Sequence, residues 1–115
     1  MSKSIIVEKS YAFSLKIIAL YKYLNYEKKE FVLSKQILKS GTSIGANVEE
    51  SQSAISKRDF VSKNSIALKE ARETYYWLRL LKDSHYLSEE YICLLNECNE
   101  LNKILTSIVK TAQEK

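Results

Sequence analysis

The sequence predicts an all-α protein folded as an up-and-down antiparallel four-helix bundle, and three observations lead to it. The 115 residues include two Gly and no Pro, where an average chain of this length carries about eight and about six. That scarcity argues against a turn-rich sandwich, a barrel or a disordered linker. Apolar residues recur at helical spacing in four blocks of roughly 20 residues, each about 30 Å long as a helix. The polar breaks between blocks are short, so successive helices should be antiparallel neighbours. A single domain spanning 1–115 is expected at this length.

The first helix runs from Ser4 to about Asn25, with Ile6, Phe13, Ile17, Leu20 and Leu24 on one stripe and Tyr11, Leu15 and Ile18 widening it. Glu27, Lys28, Lys29 and Glu30 break the pattern. A second stripe then comprises Leu33, Ile37, Gly41, Ile44, Val48 and Ile55. Ser56 and Asp59 have the Ser-x-x-acid spacing of a helix start, the hydroxyl accepting from the amide three residues on and the carboxylate reaching back. The third helix extends from there to about Asp83 with Phe60, Ala67, Ala71, Thr74, Leu78 and Leu81 on its seam. Ser84 to Leu87 form the last break, and Ser88 is the expected N-cap, with Glu89 and Glu90 in the first turn. The fourth helix has the most regular pattern: Leu87, Tyr91, Leu94, Cys98, Leu101, Leu105, Ile108 and Ala112 alternate steps of four and three.

Composition narrows the functional classes. Hydrophobic residues make up 45% of the chain, enough for a core, yet no apolar run approaches the roughly 20 residues needed to cross a bilayer. Ile5, Ile6 and Val7 are followed at once by Glu8 and Lys9, unlike a signal peptide. A soluble cytoplasmic protein is expected. Cys93 and Cys98 lie about 140° apart around one helix and cannot bridge within it; both are expected as buried free thiols. One His and two Cys cannot complete a structural zinc set, and the Glu-x-x-His pairs of a di-iron bundle are missing. No metal or cofactor is expected.

Catalysis has few candidates, and the chain is expected not to be an enzyme. His85 is the single histidine. Its distance from Arg79, Arg-x-x-x-x-x-His at a helix end, resembles the loose signature of helical ribonucleases of the HEPN type, in which such a pair acts on RNA phosphate. An ordinary exposed loop histidine is the preferred reading.

Three features bear on partners. Gly41 to Ala46 is a small-residue stretch within the second helix, where each glycine costs about 1 kcal/mol relative to alanine. Close approach of another helix at Gly41 and Gly45 would offset that. A phosphate-cradling loop is not supported, because no Gly-Lys-Ser/Thr ending and no preceding strand are present. Asn47 beside it is expected to satisfy buried groups across the helix pair.

Tyr75, Tyr76 and Trp77 are consecutive, so at about 100° per residue they cannot all enter one core. At least one ring must face outward, where Tyr and Trp favour interfaces. With Tyr11, Tyr21, Tyr23 and Tyr26 spread around the first helix, a homo-oligomer is expected.

The net charge is +4, and its distribution says more than its size. Lys69, Arg72 and Arg79 surround Tyr76 on one face of the third helix, Lys35 and Lys39 are one turn apart on the second, and Lys57, Arg58 and Lys63 cluster at the third helix start. Such cations neutralise phosphates while a ring stacks on an unpaired base. Glu70 and Glu73 are interleaved and offer ordinary surface pairs instead. Nucleic-acid contact and solvated surface both stay open on the residues alone.

The segments Ser34-Lys35-Gln36-Ile37-Leu38-Lys39-Ser40-Gly41-Thr42-Ser43-Ile44-Gly45-Ala46-Asn47-Val48-Glu49-Glu50 and Asp59-Phe60, then Ala67-Leu68-Lys69-Glu70-Ala71-Arg72-Glu73-Thr74-Tyr75-Tyr76-Trp77-Leu78, closely resemble the four-helix bundle proteins encoded in intervening sequences of bacterial 23S ribosomal RNA genes. The resemblance is specific in the middle of the chain and looser over the first and fourth helices. It implies an up-and-down bundle assembled as a ring, commonly a pentamer. The same family includes the accessory variability determinant of diversity-generating retroelements, a basic pentamer that binds its reverse transcriptase and nucleic acid. The function expected is a non-enzymatic ring scaffold that binds RNA or other nucleic acid, as accessory to a reverse transcriptase in one form. A protein-binding scaffold is the alternative. Lys35, Lys39, Lys69, Arg72, Tyr76 and Arg79 are the candidate nucleic-acid residues, and Tyr75, Tyr76 and Trp77 the candidate oligomer interface.

Overall fold

A computed structural model describes residues 3–114. Four helices follow one another: α1 (Lys3–Tyr26), α2 (Leu33–Ser51), α3 (Lys57–Asp83) and α4 (Glu89–Gln113). α1 packs on α2, α2 on α3 and α3 on α4, and α4 closes the ring onto α1. This is the up-and-down bundle the periodicity predicts. Its extents of 46 × 23 × 20 Å are one helix long and two helices wide, given interaxial distances of about 8–10 Å.

The core is built from the predicted seams. Phe13, Ile17, Leu20 and Leu24 meet Ile37, Ile44 and Val48, while Ala67, Ala71, Leu78 and Leu81 face Leu94, Cys98, Leu101 and Leu105. Two expectations about the stripes fail. Tyr11, Leu15 and Ile18 do not widen the α1 core face but stand exposed, because at about 100° per residue they fall on the side opposite Ile17 and Leu24. Ile55 does not extend the α2 stripe: α2 stops at Ser51, and Ile55 is 93% exposed in the following loop.

Hydrogen bonds and close packing set the helices' register. The hydroxyls of Ser40 and Thr74 hydrogen-bond across the buried α2–α3 seam at 2.9 Å. A Cβ on Gly45 would sit 3.3 Å from the Ser10 carbonyl oxygen, so α1 and α2 approach backbone to backbone there. At Gly41 the neighbour is instead the Ile17 side chain, with Cγ1 and Cγ2 both 2.9 Å from such a Cβ. Asn47 does not bridge helices; its amide donates to the Ser43 carbonyl one turn back, a contact that competes for side-chain donors inside helices.

The helix ends follow capping chemistry, with one departure. The Ser56 hydroxyl accepts from the Asp59 amide at 3.0 Å, and the Asp59 carboxylate reaches back to the Ile55 amide at 3.3 Å, as a capping box predicts. At α2 the cap comes from Glu30, whose carboxylate accepts from the amides of Val32, Leu33 and Ser34. Ser88 has the extended backbone of an N-cap but its hydroxyl makes no cap bond. That oxygen is buried without a partner, so the expected cap interaction is not made.

The turns that follow α1 and α3 each use a left-handed residue that is not glycine: Lys29 at φ 55° and His85 at φ 68°. After α3 the Tyr86 amide donates to the Leu81 carbonyl at 2.8 Å, the closing bond of a Schellman turn. An L side chain in this region costs roughly 1 kcal/mol. The variant His85→Gly is therefore expected to gain about 0.5–1 kcal/mol, read as a higher urea midpoint, whereas His85→Ala should gain nothing. Equal midpoints for the two variants would contradict the strain at this turn.

Candidate nucleic-acid interface

Lys69, Arg72, Tyr76 and Arg79 recur at three- and four-residue steps, and all four are exposed on α3. The face opposite them carries Ala67, Ala71, Thr74 and Leu78, which are fully buried. The geometry thus follows from one amphipathic helix: the core stripe dictates where the cations point. The Ser40–Thr74 bond and the Lys63–Glu50 ion pair fix how α2 lies along α3. Running antiparallel, they set Lys35 and Lys39 level with the end of α3 that holds Tyr76 and Arg79. Both lysines are exposed.

The charges on this surface are not neutralised internally. Among the described residues the ion pairs are Lys9–Glu100 (3.3 Å), Lys16–Glu97 (2.8 Å) and Lys63–Glu50 (2.8 Å). Hydrogen bonds donated to Glu97 and Glu50 hold the Lys16 and Lys63 ammonium groups above their usual range. None of these pairs engages Lys35, Lys39, Lys69, Arg72 or Arg79. Glu73 makes no surface ion pair among the described residues; its carboxylate accepts from Trp77 Nε1 at 3.1 Å.

The three consecutive rings divide as helical geometry requires. Tyr75 and Trp77 are half-buried against the core, while Tyr76 is 49% exposed. Tyr76 and Trp77 meet in an edge-type arrangement with ring centroids 5.2 Å apart, a geometry favoured by aromatic pairs. A second outward apolar surface lies on α1, where Tyr11, Leu15 and Ile18 are exposed. The sequence pattern assigns all three to the core, so this surface is hidden within an apparent core stripe.

Two further cations, Lys103 and Lys110 of α4, stand beside Arg72 in the fold. A groove of about 440 Å³ between α3 and α4 is lined by Arg72 with Lys103 and Lys110, the other lining residues being uncharged. The available signal was the α4 face itself: Asn99, Asn102, Lys103, Thr106 and Lys110 repeat at steps of three, one and four without a carboxylate. The acids Glu97 and Glu100 pair with Lys16 and Lys9 of α1 and, with Asn99 and Lys103, also line the neighbouring hollow on α4. Arg79 and His85, the pair with ribonuclease-like spacing, are both exposed, His85 in the turn after α3. Cys98 is buried as expected, but Cys93 is exposed, which corrects the expectation of two buried thiols; at about 100° per residue the two cannot share the core face. Among the described residues no helix is long and apolar enough to cross a membrane, and no group of three or more His, Cys, Asp or Glu is placed to hold a metal.

Comparison with known proteins adds lineage to this geometry. Residues 2–107 match the sequence profile described as 23S rRNA-intervening sequence protein. The fold is similar to the crystal structure of a protein of unknown function from the S23 ribosomal protein family of Bacteroides thetaiotaomicron VPI-5482. That match has 51% sequence identity and a TM-score of 0.91, and it covers 96% of this chain and 99% of the other. The sequence matches none of the curated proteins.

Proposed function

We propose that this chain, which belongs to the 23S rRNA-intervening sequence protein family, is a non-enzymatic, self-associating bundle whose outer surface binds RNA or other nucleic acid. The observation that carries the reading is the set of unpaired cations around Tyr76: Lys69, Arg72 and Arg79 on one face, with Lys35 and Lys39 at the same end of the bundle. Cations left without a carboxylate partner retain their full attraction for phosphate, and an exposed ring beside them supplies sequence-tolerant stacking. Self-association is supported by the exposed apolar side chains Tyr11, Leu15 and Ile18, which share one face of α1, since exposed apolar surface marks contact sites. A ring, with five subunits as the resemblance implies, would repeat each basic face around a common axis and add their fields. A reverse transcriptase, the protein partner implied by the same resemblance, would be recovered with the ring in co-purification.

Binding of a labelled ribosomal RNA fragment against salt tests this. If about four phosphates are neutralised per protomer, the slope of log affinity with log salt is about −3, so a fourfold rise in salt weakens binding about 50-fold. A protein that self-associates in native mass measurement yet shifts no RNA at low salt would favour the protein-binding scaffold.

A further inference from the structure

We propose that the groove between α3 and α4 holds an RNA strand, with phosphates on Arg72, Lys103 and Lys110 and a ribose 2′-hydroxyl on Thr106. The inference rests on the nucleic-acid reading above and narrows it to one sugar chemistry at one place.

The charge content separates this groove from its counterpart across the bundle. Between α1 and α4, Lys9 and Lys16 line a cavity that also contains Glu97 and Glu100, and each lysine is paired with one of those carboxylates. That cavity offers no net attraction to an anion. In the α3–α4 groove every charged lining residue is a cation, and none takes part in an ion pair among the described residues. Lys103 and Lys110 are seven residues apart on α4, about 10.5 Å along the axis. A single phosphate cannot touch both, whereas a strand carrying phosphates at successive positions can. Arg72 faces them from α3, and its guanidinium fork suits the paired oxygens of a phosphodiester.

The choice of sugar comes from Thr106. It lies three residues after Lys103 and four before Lys110, hence on the same helix face. Its hydroxyl donates to the Asn102 carbonyl at 2.7 Å, so its one hydrogen is committed and its remaining lone pairs face outward as acceptors. Phosphate oxygens have no hydrogen to give to that hydroxyl. A donor placed between two phosphates along a strand is what the ribose 2′-hydroxyl supplies and deoxyribose lacks. An acceptor between two cations therefore fits an RNA backbone better than a DNA backbone.

Fluorescence anisotropy with an unstructured single-stranded RNA oligonucleotide and its DNA counterpart tests the assignment. Wild type is expected to bind the RNA about fivefold more tightly, the gain of one net hydrogen bond. In Thr106→Val that preference disappears through weaker RNA binding, with DNA affinity unchanged. In the doubly substituted Lys103→Glu, Lys110→Glu protein both affinities fall at least tenfold and the salt slope becomes shallower. All three positions are exposed, and circular dichroism confirms the folded state of each variant. Equal loss of RNA and DNA binding in Thr106→Val overturns the sugar assignment. Wild-type affinity in the charge-reversed protein, with loss instead in Lys69→Glu, Arg79→Glu, overturns the groove while sparing the broader reading. Absence of any binding by wild type overturns both.

Discussion

Replacing Gly41 with valine is expected to destabilise the bundle by about 3 kcal/mol, a large share of the roughly 5–15 kcal/mol that holds a domain together. A Cβ at this position would lie 2.9 Å from both Cγ1 and Cγ2 of Ile17 and 3.2 Å from its Cδ1. The two nearest atoms are the branch carbons of a β-branched side chain, which has one strongly preferred χ1 in a helix and cannot swing aside. Ile17 is itself fully buried. Overpacking of this kind costs typically 1–3 kcal/mol, of which an alanine would recover about 1 through helix propensity. Valine recovers less and adds two methyl groups to the same filled space. Gly41→Ala should therefore lose about 1 kcal/mol and Gly41→Val about 3. The measurement is urea unfolding followed by circular dichroism. A double-mutant cycle with Ile17→Ala identifies the cause: removing the obstructing branch should make Gly41→Val at least 1 kcal/mol less harmful than in wild type. Strict additivity of the two substitutions would mean that the glycine is needed for some reason other than Ile17.

The bundle was legible because local rules and tertiary packing agree over most of the chain. In α3 and α4 the apolar residues alternate at three and four, and Ala67, Ala71, Leu78, Leu94, Leu101 and Leu105 are buried as that spacing requires. Agreement between helix period, caps and core is the mark of a sequence that specifies one structure. Where the pattern misled, it was ambiguous for a physical reason. α1 carries apolar residues on nearly every side, so periodicity alone cannot say which of them meets a neighbour; Tyr11, Leu15 and Ile18 are read correctly only once α2 and α4 are in place. Ser88 has a good N-cap identity and backbone, but its hydroxyl orientation depends on packing around it. Lys69, Arg72, Tyr76 and Arg79 were legible as a face because they share one helix. Lys103 and Lys110 were not joined to Arg72, because that grouping depends on which flank of α4 turns toward α3.

Raising the pH from about 9 to about 12 is expected to remove roughly 4 kcal/mol of stability through Cys98 alone. The Cys98 thiol lies in the α3–α4 seam and donates to the Ala71 carbonyl at 3.2 Å. Burial pushes it from a thiol's 9.0 up to about 12, since a thiolate there would lose its hydration with no cation to replace it. In the unfolded chain the same group titrates near its ordinary value. Between the two values the native state keeps a proton that the unfolded state has given up, so the unfolded state binds fewer protons and stability falls as pH rises. The contribution is complete below the unfolded value, declines by about 1.4 kcal/mol per unit across the interval, and is gone above the folded value. Tyrosines and lysines also titrate in this range, including Tyr91, whose phenol is raised chiefly by burial. Wild type must therefore be compared with Cys98→Ala, in which those groups remain. The variant should begin less stable, because it leaves a small cavity, and should lose stability less steeply between pH 9 and pH 12. Parallel curves for the two proteins would refute the raised thiol. Alkylation gives an independent reading of the same burial: the exposed Cys93 should react in the native protein, whereas Cys98 should react only as fast as the bundle opens, since the thiolate is the nucleophile and the native seam suppresses both its formation and its access.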